Sequence, residues 1–531
     1  MTATVAPRTY VAILATFLGA GIITLQQRLV GVGLPDLRGA YNLGFDEAAW
    51  IPTATDMGLM VVGPLTVYLV GSFGPRRVLL ACVPVYALAS AAVPLVKSYW
   101  LLLGLQAVVG LAAGTFYPVS IGFSLMSLPF QASIFGLAFY SVEILATLNI
   151  SSSLQAWFAD RLWSGWIFWV GPALAVPMAL AVYLTVPSSP KQPRAQAAPS
   201  FRGAIYASSG LALWLGALEQ GERLDWFHSP IVVALLAGGT FLVLSGLIRR
   251  VARPNPLINL RFLWQRNTLL LGLGLVAVRF VLLGLVQLVP GFLSSVQGYR
   301  PLEIGRVFLP SVVPVIVAGL TTAYLMRRFD GRAVAAAGFG LVGAAAIINA
   351  QITSGWAAED FLISQLLLAI GLPLCFVALF GMVVQQFDAT GLADAEQVHL
   401  PEALTFGAFL QVARLFGGQV GTTLVQRFVN QRELFHSHQL GYAINGADPA
   451  SDERLRALSA GLLAASNGAD DAQQRALSLL GAEVRQQATT LAYADGFVLI
   501  VIACIGFVLA LLLMKPMKNS FDVRKPIPSL S

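Results

Sequence analysis

Residues 268–292, TLLLGLGLVAVRFVLLGLVQLVPGF, carry one charged side chain, Arg279, in twenty-five positions. As an α-helix this run rises about 37 Å at roughly 1.5 Å per residue, enough to cross about 30 Å of hydrocarbon. Counting outward from it gives fourteen such runs, from residues 10–33 to residues 497–514, of which the seventh, 203–217, is the weakest. The first run lacks a small-residue cleavage site and continues through Gly19 and Gly21, so it reads as a retained helix and not as a signal peptide. The whole chain agrees: 57% of its 531 residues are hydrophobic and 11% charged, against roughly 45–50% and about 25% in soluble domains. The expected fold class is an all-α polytopic membrane protein.

The net charge of +7 could suggest nucleic acid, but no basic run is interleaved with aromatics, and the excess lies beside the apolar runs. Cys82, Cys375 and Cys504 are scattered singly, which argues against disulfides and zinc. His436 and His438 lack a third ligand, so no metal is expected. Neither a P-loop, a zinc motif nor a nucleophile constellation is present, so the chain reads as no enzyme, with no cofactor.

Lys and Arg mark cytoplasmic loops. With the N-terminus inside, the inner segments hold eighteen of them, Arg76, Arg77, Arg249, Arg250, Arg327 and Arg328 included; the short outer loops hold Arg38, Lys97, Arg161, Arg223 and Arg300. Both termini are therefore expected in the cytoplasm. The acidic inner loop 388–402 runs against the pattern. A Pro/Ala/Ser-rich linker, PSSPKQPRAQAAPS at 187–200, divides the chain. The expected organisation is a six-helix bundle over 1–187, a linker with two extra helices over 188–266, and a second six-helix bundle over 267–531. Within the last, 429–492 is too long for a turn and carries Leu455, Leu458, Leu462 and then Leu477, Leu480, Val484 at helical spacing. It predicts one or two amphipathic helices outside the membrane, either capping the mouth or docking a periplasmic partner.

Several stretches carry a family resemblance. EQGERLDWF at 219–227, NPLINLRFLWQRN at 255–267, VPGFLSSVQGYRPLEIGRVFLP at 289–310, ARLFGGQVGTTL at 413–424 and QQATTLAYADGF at 486–497 resemble motifs of the fourteen-helix drug:proton antiporters of the major facilitator superfamily, the EmrB/QacA type. The resemblance covers nearly the whole chain and implies two six-helix bundles plus two extra helices, proton-coupled drug efflux, a bacterial inner-membrane location and, in a Gram-negative host, an HlyD-type periplasmic adaptor leading to a TolC-like outer-membrane channel. The first half departs from the family pattern. LQQRLVGVGLP at 25–35 puts Gln26 where the family has an acid and Arg28 where it has Thr; Gly74, Arg76 and Arg77 remain in the loop after helix two, but Gly71 replaces its Asp; Gln106 replaces the Arg of helix four. These changes keep the fold and weaken the expectation of cationic-drug antiport.

An ionisable group in the bilayer costs at least about 2.5–3.5 kcal/mol unless it faces a cavity, a partner or water. Arg28 and Asp56 fall at similar depth on consecutive helices, either as a fixed ion pair or as a pair that opens when cargo competes for Arg28. Helices one and nine line the cavity in the family fold, which makes Arg28 and Arg279 candidate cargo ligands. Gln26, Tyr117, Tyr140 and Asn149 are candidates beside them, or simply interhelical hydrogen bonds. Glu143 and Asp56 are the candidate coupling acids, Glu143 alternatively a permanent Arg partner. Arg414, Glu219, Gly74, Arg76 and Arg77 are expected in structural or gating roles, Glu219 as a wetted helix end outside the twelve-helix core. Gly110/Gly114 and Gly417/Gly421 predict close helix packing. With Arg28, Arg279, Arg306 and Arg414 set against Asp56 and Glu143, the expected function is secondary transport, proton-coupled efflux of small anionic or zwitterionic amphipaths. A broad cationic multidrug antiporter and a non-transporting membrane sensor or enzyme are the alternatives.

Overall fold

In the structure, a computed structural model, the described residues are 7–163, 165–188, 201–251, 266–389, 400–443, 449–466, 468–516 and 521. Most of the linker, residues 255–265 of the Asn-Pro-Leu stretch and most of the acidic loop lie outside them. The helices are α1 (Pro7–Val32), α2 (Phe45–Phe73), α3 (Pro75–Leu95), α4 (Tyr99–Ser127), α5 (Phe130–Arg161), α6 (Trp166–Thr185), α7 (Phe201–Gly221), α8 (Pro230–Val251), α9 (Arg266–Ser295), α10 (Pro301–Met326), α11 (Gly331–Asn349), α12 (Leu362–Ala389), α13 (Leu400–Ala443) and α14 (Ala469–Leu512). Among the described residues there is no strand. Twelve of these helices are long and apolar enough to cross a membrane; α7 and α13 are not among the twelve.

Local chemistry sets the breaks. Gly74 adopts φ 80° between α2 and α3, a left-handed conformation that penalises any Cβ, and Pro75 opens α3 where a missing N–H costs nothing. Asp330 caps α11 by accepting from the Arg332 N–H. Along α9 the buried Leu271, Leu275, Val278, Leu282 and Leu285 recur at three- and four-residue steps, while Leu269, Leu273 and Val276 are exposed on the outer side. Both faces are apolar, so periodicity alone could not say which one packs.

In the first bundle α1 packs on α4, α5 and α6, α2 on α4, and α3 on α4 and α6; in the second, α9 packs on α12, α13 and α14, and α11 on α12 and α14. The bundles meet along α2–α13 and α5–α10, with α4 also on α13 and α5 on α12. Adding eight to each first-bundle helix turns the α2–α13 seam into α10–α5, so the two seams are copies related by the internal repeat. The α7–α8 pair packs on α2 from outside. Small residues permit the closest approaches, as expected where packing and not water drives association. A Cβ on Gly421 would come within 2.7 Å of Phe280 Cα, and one on Gly407 within 2.8 Å of the Pro118 carbonyl oxygen.

The expected amphipathic helices at 429–492 take another form. Helix α13 runs unbroken through Val429 to Ala443 and α14 begins at Ala469, with one short helix, Pro449–Leu462, packed on α14. Each 44-residue helix is about 66 Å long at roughly 1.5 Å per residue, twice the hydrocarbon thickness. The two are stapled by Arg432–Asp495 at 2.5 Å and His436–Asp495 at 2.8 Å. His436 is thus a helical residue in an ion cluster, two positions and about 200° from His438, not part of an exposed-loop His pair.

Candidate substrate cavity

A cavity of about 770 Å³ lies between the bundles. Its walls come from the later halves of α1, α5, α7 and α9, from the middle of α13 and from the earlier halves of α2, α10 and α12: Thr24 to Pro35, Ala49 to Asp56, Ile144 to Ser152, Arg279 to Ser294 and Arg414 to Thr422 all contribute. These segments share the end of the molecule opposite Arg8 and Met514. At the other end the bundles touch. Phe130 of α5 stacks on Phe521, ring centroids 5.5 Å apart, and Ile134 and Met326 converge on Gly381. Among the described residues the cavity is therefore open on one side only, away from the described termini.

A chain of polar contacts crosses the cavity from one bundle to the other. Arg414 of α13 lies over the Tyr117 ring, 3.9 Å from its centroid, and donates from Nη2 to Oε1 of Gln27 on α1. Gln27 in turn donates from Nε2 to Oδ1 of Asp56 on α2. Arg donates only and carboxylate accepts only, so the amide orientation is fixed by its neighbours. The carboxyl group of Asp56 adjoins that of Glu219 on α7, beside Thr53, and all three line the cavity. Two ionised carboxylates so close repel each other, and a proton held between them relieves the repulsion.

Arg28, one residue on, lines the same cavity within electrostatic reach of Asp56, Arg279 and Arg414. The expected Arg28–Asp56 ion pair is not formed; Gln27 takes the aspartate, and among the described residues Arg28 has no ion-pair partner. Arg279 is 7% exposed, stacks 5.2 Å from the Phe376 ring centroid, and lies close to Tyr140. Asn149 lines the cavity with its Nδ2 tied to the Leu145 carbonyl, 2.7 Å away, leaving its oxygen for the cavity. Tyr117 also lines it, its hydroxyl 2.6 Å from that of Thr24.

Several expectations need correcting. Gln26 faces away from the cavity: 3% exposed, it donates to Ser90 Oγ at 2.9 Å and accepts from Tyr86, within the α1–α3–α6 packing. Gln26 and Arg28 are two residues apart, about 200° around a helix, so one face cannot hold both; Thr24, Gln27, Arg28 and Gly31 share it instead. Tyr140 is a wall behind the cavity, packed on Phe17, Tyr117 and Phe380. Glu219 lies in the last turn of α7, partly exposed as a wetted helix end would be, and there faces the cavity beside Asp56; Arg306 is exposed at the start of α10. Glu143 lies off the cavity. It abuts Gly21 of α1, both its oxygens are buried with no hydrogen-bond partner among the described residues, and the cation that acts on it is Arg414, not Arg279. At the closed end Arg76 donates to the Tyr183 carbonyl at 2.7 Å, while Arg77 is exposed. The predicted close packing at Gly110/Gly114 and Gly417/Gly421 is present, joining α2 to α4 and α9 to α13.

Helices arranged as two repeats about a central, one-sided cavity define a membrane transporter of the alternating-access kind. Residues 16–432 match the Major Facilitator Superfamily, and the chain belongs to that family. It is similar to the probable multidrug resistance protein EmrY of Escherichia coli strain K12, 24% identical over 447 residues that cover 82% of each chain. It is also similar to the multidrug export protein EmrB of Haemophilus influenzae, 23% identical over 82% of this chain and 83% of that one. Among solved structures it resembles the human organic anion transporter MFSD10 (TETRAN), with a TM-score of 0.55 at 15% identity, covering 94% of this chain and all of that one, a likeness of fold. The chain is thus a multi-pass membrane transporter with relatives named as multidrug export proteins, and not an enzyme.

Proposed function

We propose that this transporter exports small amphipathic organic acids or zwitterions in exchange for protons, by rocking its two bundles about the cavity. One observation carries the cargo class: three guanidiniums, Arg28, Arg279 and Arg414, share a cavity in which none of them has an ion pair among the described residues. The two carboxyl groups there, Asp56 and Glu219, are occupied with each other. A planar guanidinium takes a carboxylate through two parallel hydrogen bonds, and an apolar wall of Ile144, Leu145, Leu282, Leu285 and Leu368 accommodates the rest of such a molecule. Export is the direction named for the relatives. A broad cationic multidrug antiporter, the second reading, is favoured only by the carboxyl pair.

In this proposal all fourteen helices cross, both termini face the cytoplasm, the cavity opens outward, and the three-part division at 187 and 266 holds. The α13–α14 extension would then lie in the periplasm of a Gram-negative host, placed to meet an HlyD-type adaptor and a TolC-like channel. Flux into proteoliposomes decides the cargo class: a panel of organic anions and cations, with a pH gradient imposed in either direction, should show pH-driven movement of the anions and zwitterions. Movement of cations alone would overturn it. A reporter fused after Arg202 should be cytoplasmic and one inserted at Gly468 external; an external Arg202 would overturn the orientation.

A further inference from the structure

Resting on that reading, we infer that the preferred cargo is a zwitterion whose ammonium and carboxylate are one or two carbons apart, and that its ammonium displaces the proton shared by Asp56 and Glu219.

The first ground is electrostatic. A plain anion bound to the arginines adds negative charge beside the carboxyl pair and so favours keeping its proton. Proton and anion then favour each other's binding, which makes a plain anion the poorer partner for exchange, since in antiport one leaves as the other arrives. A cation competes with the proton but meets three arginines. A zwitterion meets both conditions, its carboxylate on the guanidiniums and its ammonium on the carboxyls. The charges remain balanced: the pair gives up one proton to cavity water, becomes two carboxylates, and receives one ammonium that was already protonated.

The second ground is steric. The Gln27 carboxamide bridges the two charged sides, its oxygen accepting from Arg414 and its N–H donating to Asp56. An acceptor toward the arginine and a donor toward the carboxylate, held close together, is the order an amino-acid head presents, with its carboxylate oxygen and ammonium nitrogen two carbons apart, one more than in the amide. Gln27 occupies that place as a tethered stand-in, and rotation of its side chain vacates it. The groups facing the carboxyl pair are Gln27 and Arg28 from α1, Arg414 from α13 and Thr53 from α2. At the mouth Arg223 is engaged by Asp46 and Gln220. Helix α7, outside both bundles, thereby supplies half of the exchange site.

Three probes with one ring system separate the cases: 3-(2-naphthyl)alanine, 3-(2-naphthyl)propionate and 2-(2-naphthyl)ethylamine. Calorimetry on the purified full-length protein, in buffers of different ionisation enthalpy, gives affinity and protons released together. The amino acid should bind roughly tenfold tighter than either relative and release a proton, as expected for one added charge-assisted contact. The propionate should bind without release. Glu219→Gln should remove the release and weaken the amino acid roughly tenfold, leaving the propionate unchanged; Asp56→Asn is the second variant should the first not fold. Equal weakening of both probes, proton release by the propionate, or no binding by any of the three overturns the inference. Binding of the amine with none of the propionate would overturn the anion-site reading as well; a propionate that binds as tightly as the amino acid overturns only the zwitterion.

Discussion

The carboxyl group of Asp56 on α2 adjoins that of Glu219 on α7, so a helix outside the two repeats reaches into the cavity between them. Extra helices in a membrane protein could serve only as spacers. Here one of them holds a carboxyl group against another on the cavity wall, both only partly exposed, and placing two acids together there is costly unless cavity water or a proton offsets it.

Glu219→Gln should therefore abolish pH-driven flux in proteoliposomes while leaving expression and thermal stability near wild type, because an amide can still donate to Asp56. A variant that transports at the wild-type rate under an imposed pH gradient would remove Glu219 from coupling.

Glu143 offers a contrasting test. Its oxygens are buried without partners beside Gly21, off the cavity. Glu143→Gln, which keeps the shape, should leave cargo binding unchanged. Loss of the pH-driven component would make it a second proton site reached only when α1 and α5 shift; undiminished uphill flux would leave it no part in coupling.

The membrane-crossing runs were plain in the sequence because hydropathy is additive along a helix. What lay across the cavity was not, because contacts between α1, α2, α7 and α13 join residues on different helices, from 29 positions apart for Gln27 and Asp56 to 387 for Gln27 and Arg414. Gln26 shows a loss that could have been avoided: placing it where the family has an acid ignored the 200° between it and Arg28, and helical spacing alone favoured Gln27. Glu219 could not have been placed that way, since nothing in EQGERLDWF says which helix α7 packs on. The extension was legible as helical, with Leu455, Leu458 and Leu462 on the short helix, but its continuity with α13 and α14 was not, for a physical reason too. Charged residues in the α13 and α14 continuations end the apolar run without ending the helix, and ion pairs such as Arg432–Asp495 hold the two together beyond it.

Gln26→Leu should separate packing from binding. It removes the partner of Tyr86 and Ser90 in a buried interface, which costs about 1–3 kcal/mol. The melting temperature of the detergent-solubilised protein should fall while the KM for cargo stays unchanged. A changed KM with unaltered stability would return Gln26 to the binding site.

Gly407 tests the rocking motion. A side chain there meets the Pro118 carbonyl at the closed end, so Gly407→Val should penalise this conformation by roughly 1–3 kcal/mol and favour the opposite one. A cysteine replacing Ser294, at the open mouth, should then react roughly tenfold more slowly with a membrane-impermeant thiol reagent added on the cavity side. Unchanged reactivity would mean that this seam does not separate in the cycle.

Arg279 distinguishes an anion clamp from a structural charge. It is nearly buried, yet its neighbours Tyr140 and Phe376 leave its charge uncompensated by any carboxylate among the described residues. If it binds the cargo carboxylate, Arg279→Lys should weaken anionic and zwitterionic cargo, because a point charge cannot reproduce the guanidinium fork, and Arg279→Ala should weaken them further. A charge-assisted contact of about 1.5–3 kcal/mol corresponds to a loss of roughly ten- to a hundredfold in affinity. Cationic compounds should lose nothing, and relief of repulsion between Arg28, Arg279 and Arg414 should make the alanine variant bind them somewhat better. Were Arg279 instead the counter-charge of Glu143, the alanine variant would fold poorly and the double change with Glu143→Gln would restore it. Since the cation acting on Glu143 is Arg414, no rescue is expected. Selective loss of anion and zwitterion binding at normal expression supports the clamp, and equal loss for cations, or rescue by the double variant, refutes it.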